Sequence, residues 1–229
     1  MAMAAPWGTI TGIPMADAPI PDTGLLTLTQ WLSPAFPVGS FAFSHGLEQA
    51  ISDGDVADAA GLKTWLTDIL TLGAGRADAI LLCAALRGGD AGDLAALAEA
   101  LAPSRERWLE TRDQGSAFAA AVTATGRSID PMPFPVAVGV AARALDLTPA
   151  QITQLYLHAF TSNLVSAAVR FVPLGQNAGQ SVLSALHGVI AEVAEQAAQA
   201  TTDDITSAVP RADLAAMRHE TLEVRIFKT

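Results

Sequence analysis

The chain has 229 residues, 51% of them apolar and only 16% charged, with 13 basic against 23 acidic residues and a net charge of −10. Lysine occurs only at Lys63 and Lys228 and no basic run exists, which excludes a phosphate-neutralising nucleic-acid surface and a P-loop with its Gly-Lys pair. A chain of this size buries roughly 70% of its unfolded surface, so the single cysteine, Cys83 in the apolar run 79–86, reads as core packing in a reducing compartment.

Residues 1–23 are broken by Pro6, Gly8, Gly12, Pro14, Pro19 and Pro21 and have no basic start, so they read as a disordered leader rather than a signal peptide. No uninterrupted apolar run reaches the ~18–20 residues of a membrane span, and the expectation is a cytoplasmic protein. In the next segment, two prolines and Gly39 impose a turn. Ser40 is then placed to cap a helix carrying Phe41, Phe43, His45, Leu47 and Glu48.

Beyond it the periodicity is helical nearly everywhere. Leu62, Leu66, Ile69 and Leu70 follow the spacing of one buried face, with Asp58 as N-cap and Trp65 widening the stripe. A second apolar helix runs over 76–87 to Gly88-Gly89, and a third over 90–102 to Pro103. Ser104 caps an amphipathic helix with Trp108, Leu109, Phe118 and Val122 inward and Arg105, Glu106, Arg112 and Asp113 outward. Pro135 suits the first turn of a helix over 136–145, and Thr148-Pro149 opens another that reaches residue 172. Pro173 and Gly175 break it. Residues 176–200 are long enough for about six turns, and a short helix begins near Pro210. Strand-like alternation appears in the final residues, where Leu222, Val224 and Ile226 alternate with polar side chains. The fold class is all-α: one domain over 24–216 of about eight to nine or more helices, followed by a C-terminal segment, 217–229.

Four features could carry chemistry. Ser40 and Ser44 stand near His45, but a nucleophile elbow needs a preceding strand and a residue orienting the imidazole, and the sequence offers neither. The four histidines, His45, His158, His187 and His219, show no i, i+4 pair, and no Cys or carboxylate completes a metal set at sequence range. His158, between Tyr156 and Phe160, reads as a hydrogen-bonded core residue. Arg170 is the only charge in its apolar helix and calls for a carboxylate or carbonyl partner, while Gln176 and Gln180 follow at a helix start open to an anion or a neighbouring loop. The C-terminal segment is apolar and charged together, unlike a free end. Packing on the chain's own body and docking into another protein are both open for it.

The stretch SPAFPVGSFAFSHGLE from Ser33 to Glu48, the stretch LVSAAVRFVPLGQ from Leu164 to Gln176 with Gly179 and Gln180, and MRHET from Met217 with the later Arg225-Ile226-Phe227 together resemble the UreF family of urease accessory proteins. The likeness runs in order over residues 24–229; residues 55–147 match only in helical character. The resemblance implies an all-α, non-enzymatic protein with no catalytic residue, no cofactor and no metal of its own, nickel being handled by the complex. It implies a homodimer that links UreD to the nickel-carrying GTPase UreG and, through the complex, to apo-urease. On that reading Phe36, Pro37, Gly39, Ser40, His45 and Glu48 shape a contact surface. Arg170, Gln176 and Gln180 position the helix break, and Arg218, His219, Glu220, Arg225 and Phe227 hold the tail in its partner. The alternative is a nickel-binding chaperone with His45 or His219 shared across a dimer axis.

Overall fold

The computed structural model describes residues 23–229 with the exception of Pro173; the leader expected over the first residues falls outside them. Among the described residues there are eleven α-helices and no strand. In chain order they are α1 (Gly24–Trp31), α2 (Leu47–Ser52), α3 (Ala59–Leu72), α4 (Ala74–Leu86), α5 (Ala91–Leu101), α6 (Arg105–Ala124), α7 (Phe134–Ala142), α8 (Pro149–Phe171), α9 (Gln176–Ala185), α10 (His187–Gln199) and α11 (Pro210–His219).

The starts of these helices follow local chemistry. Asp58, Asp90 and Ser104 accept the N–H groups of Gly61, Asp93 and Arg107, and Thr148 closes a capping box with Gln151 ahead of Pro149. Outside the segment 33–48, three elements depart from the pattern read in the sequence. Helix α1 lies where no element was expected. The run 176–200 is two helices joined at Leu186, a fully buried side chain that pins the bend. The tail's alternation forms no strand, because no strand among the described residues lies beside it to complete its backbone bonds.

The long helix α8 crosses the middle of the molecule, with α10, α9, α4 and α2 packed along it; α7 and α3 pack on α4, and α6 packs on α7. One large core joins Leu28 and Trp31 of α1 to Phe118 of α6, Ile152 and Leu157 of α8 and Ile190 of α10. Phe118 meets Trp31 and Phe134 edge-on at 5.8 and 5.7 Å. A smaller cluster, Leu81, Ala85, Leu94, Ala98 and Val136, seats α5. The span Ala59–Leu86 is long and apolar enough on average to cross a membrane, but Gly73 breaks it into two helices and 61% of its most apolar window is buried inside the protein, which is how a pair of core helices reads.

Helix α7 approaches α4 through Gly139, where a Cβ would stand 2.6 Å from the Leu82 carbonyl oxygen and 2.7 Å from the Ala85 Cβ. Backbone cannot give way as a side-chain tip can. Gly139→Ala is therefore expected to lower stability by about 1–3 kcal/mol, read as a reduced urea midpoint at unchanged slope.

Candidate functional site

The turn from Ser33 to Gly46 builds the first half of the site. Phe36 N–H bonds the Ser33 carbonyl at 2.9 Å, Gly39 takes the left-handed conformation at φ 73°, and a 3-10 turn occupies Ser40–Ala42. The helix expected from Ser40 through Glu48 is interrupted: Phe43 is extended, and His45 and Gly46 follow at φ 60° and 75°. His45 is the only non-glycine residue at positive φ among the described residues, a placement histidine tolerates better than most side chains. Ser44, not Ser40, serves the start of α2, its hydroxyl accepting the Glu48 N–H at 3.2 Å. A Cβ on Gly46 would stand 2.8 Å from the Ala216 nitrogen, so this double left-handed step lets α2 lie directly against α11.

The second half is the chain's own C-terminal segment, which docks back onto this turn. Ser44 N–H donates to the Thr229 oxygen at 2.9 Å and the Ser44 hydroxyl donates to it as well. Lys228 N–H donates to the Ala42 carbonyl at 2.8 Å. The Glu48 carboxylate, 3% exposed, accepts the Ile226 and Phe227 N–H groups at 2.8 and 3.0 Å and faces His219 Nε2 at 3.2 Å. The other ring nitrogen of His219 lies 2.7 Å from Glu106, which also takes Arg225. Phe227 is buried against Phe171 at 5.5 Å, with the Arg170 guanidinium 5.6 Å above its ring.

Helix α6 supplies what the sequence reading missed. Arg107, Glu110 and Gln114 are all buried and continue the stripe that ends in Phe118 and Val122, while Trp108 and Leu109 are only partly buried and Glu106, expected outward, turns toward the tail. A polar inward stripe looks like a solvent face in hydropathy; its spacing of three and four residues was the available signal. Glu110 pairs with Arg107, accepts the Thr229 hydroxyl at 2.6 Å and lies 3.8 Å from His45 Nδ1. Burial acts to raise the Glu110 carboxyl, but Arg107, His45 and Thr229 outweigh it and hold the group down at about 2. Burial, with Arg107 nearby, pushes His45 down to about 4 against the pull of Glu110, so its ring is neutral at pH 7.

A cleft of about 550 Å³ opens beside this cluster, between the 33–41 turn, α6, α8 and α9. Phe36, Ser40, Arg170, Gln176 and Gln180 line it, with Arg107, Glu110 and Gln114 reaching its floor. The Ser40 hydroxyl donates to Gln114 at 3.4 Å, and Gln114 to Glu110 at 3.4 Å. Asp78 and Tyr156 face each other across the same floor at 2.9 Å; burial pushes the Asp78 carboxyl up to about 6 and keeps the Tyr156 hydroxyl well above its usual range.

The residues singled out in the sequence thus fall into two adjoining groups. His45, Glu48, His219, Arg225 and Phe227 meet at the docked tail, with Arg218 and Glu220 exposed beside them and reaching Asp53 and the Glu106 N–H. Phe36, Ser40, Arg170, Gln176 and Gln180 line the cleft, and Pro37 and Gly39 shape the turn between. Arg170 is exposed and rests on an aromatic ring, so the carboxylate or carbonyl partner expected for it is not required. Both candidate nucleophiles, Ser40 and Ser44, donate to other groups. His219 is fully enclosed between two carboxylates, so sharing it across a dimer axis requires the tail to undock. No cluster of three or more metal-ligating side chains exists among the described residues. Cys83 is buried, 3.2 Å from the Thr153 hydroxyl.

The UreF family model matches residues 56–187. The chain is 63% identical over 206 residues to the urease accessory protein UreF of Cereibacter sphaeroides strain KD131, covering 90% of this chain and 98% of that one. Identity is 53% to the protein of that name in Dinoroseobacter shibae, over 89% of this chain and 98% of the relative, and 45% to that of Rhodopseudomonas palustris strain BisA53, over 90% and 93%.

The raised Asp78 carboxyl costs stability as it ionises. Between its ordinary value near 3.8 and about 6 the folded chain holds a proton the unfolded chain has lost, so this contribution falls as pH rises through that window. Asp78→Asn keeps an acceptor for Tyr156 without the charge. Its melting temperature is expected to match the parent near pH 4 and exceed it above pH 7, by roughly 1–3 kcal/mol in stability.

Proposed function

The chain belongs to the UreF family of urease accessory proteins, which supports a role in urease maturation, and from that premise we propose that it is the non-catalytic scaffold joining a UreD homologue to the nickel-carrying GTPase UreG for delivery to apo-urease. In this reading it works in the cytoplasm as a homodimer, holds no cofactor of its own, and modulates the GTPase through the complex it assembles, with nickel as cargo.

One observation carries the partner role. The tail is held by its backbone and by Phe227, yet Val224 and Ile226 are 86% and 73% exposed, and Leu214 and Met217 just before them are about half exposed. Apolar side chains presented on an ordered backbone make a docking surface, and holding the segment in place beforehand lowers the ordering entropy a partner must offset. The buried members of the set, Glu48, His45 and His219, then act by shaping the tail, and Arg218, Glu220 and Arg225 flank the contact.

Two variants separate presentation from folding. Val224→Asp with Ile226→Asp is expected to leave the melting temperature within a degree or two and to abolish capture by a tagged UreD homologue; undiminished capture would overturn the assignment. Phe227→Ala removes a buried ring and is expected to cost about 3–5 kcal/mol, seen as a lowered denaturation midpoint before any partner is added.

A further inference from the structure

Of the four histidines, His45 is buried beside Glu110 and His219 between Glu48 and Glu106; the other two meet each other. His158, near the middle of α8, and His187, the first residue of α10, face across the packed pair of helices with ring centres 5.5 Å apart and planes inclined at 47°. His187 is exposed and His158 partly so. Their backbones are rigidly placed: α8 is continuous over 23 residues and Leu186, immediately before His187, is fully buried.

Bare imidazoles gain little by facing each other at a wet surface, since protonation of one opposes protonation of the other. The His187 ring and burial both hold His158 below its ordinary value, burial being the larger effect, which keeps it in the unprotonated form that ligates metals. The spacing matters more. With metal–nitrogen bonds of about 2.0–2.1 Å, two imidazoles on one cation put their ring centres roughly 5–5.5 Å apart at tetrahedral to trigonal angles. The observed separation of the ring centres, 5.5 Å, meets that condition.

We propose that His158 and His187 form a two-histidine site for a late first-row divalent cation, open to solvent on the remaining coordination positions. Imidazole nitrogen selects this class over magnesium or calcium, which take oxygen. A site with two protein ligands and open positions holds its ion loosely enough to pass it on. The inference stands on this geometry alone and does not depend on the UreD and UreG reading.

The test is a titration of the full chain with Zn²⁺ at pH 7.5, following the ring nitrogens of all four histidines by NMR. The His158 and His187 signals are expected to shift together and saturate at one ion per chain, with those of His45 and His219 unmoved. By calorimetry, His187→Asn and His158→Asn are each expected to weaken binding at least tenfold at unchanged helicity. Signals that stay in place, a shift of one ring alone, or variants that bind as the parent does would each overturn the site, and the parent's ring signals decide the matter even if a variant folds poorly.

Discussion

A carboxylate taken out of water must be given back the hydrogen bonds it loses, and Glu48 is the residue at which this fold meets that demand. Unsatisfied, the buried charge would cost several kcal/mol. Its acceptor capacity is filled by two backbone N–H groups and a histidine, all from residues 219–227. The segment supplying them therefore belongs to the folded body. Glu106 and Glu110 repeat the arrangement, the first through His219 and Arg225, the second through Thr229 and Arg107. Three carboxylates on two helices thus define where the end of the chain lies, with directional hydrogen bonds where an apolar contact would leave the register free.

That requirement explains features that look unfavourable in isolation. His45 occupies a left-handed conformation at a cost on the order of 1 kcal/mol, yet the step it makes with Gly46 brings Ser44 within reach of Thr229 and sets α2 against α11. Helix α6 gives up apolar burial over its first half to place Arg107, Glu110 and Gln114 inward. The same stripe joins the tail to the cleft: Thr229 bonds Glu110, Glu110 receives Gln114, and Gln114 receives Ser40 at the cleft wall. A disturbance of the docked tail has a continuous polar route to the cleft floor.

What the sequence made legible follows from how local each determinant is. The caps at Asp58, Asp90, Ser104 and Thr148 act over three residues, and the helices they start were readable to within a residue or two. The bend at Leu186 was not, because it rests on burial of that side chain in the core, and the one local mark, Gly188, lies two residues on, inside the following helix. Helix α1 was missed for a similar reason: its placement depends on Trp31 reaching Phe118, far along the chain. At the site, His45, Glu48, His219 and Phe227 were identifiable as unusual residues in apolar company. Their mutual contacts were not, since each spans more than a hundred positions, and hydropathy assigns the α6 stripe to solvent.

The C-terminal segment was open to two readings, packing on its own body or docking elsewhere, and its geometry shows that these are not alternatives. The side chains of the docked segment divide between two sides: Phe227 goes inward while Val224 and Ile226 stay out. The inward side and the backbone secure the segment to Glu48 and Glu110, and the outward side is left apolar and unused. A segment anchored this way cannot be strengthened on one side without consequence for the other. Contacts made to Val224 and Ile226 hold the backbone that Glu48 binds, so whatever docks there also stabilises the carboxylate cluster beneath, by the linkage that joins any ligand to the state it prefers.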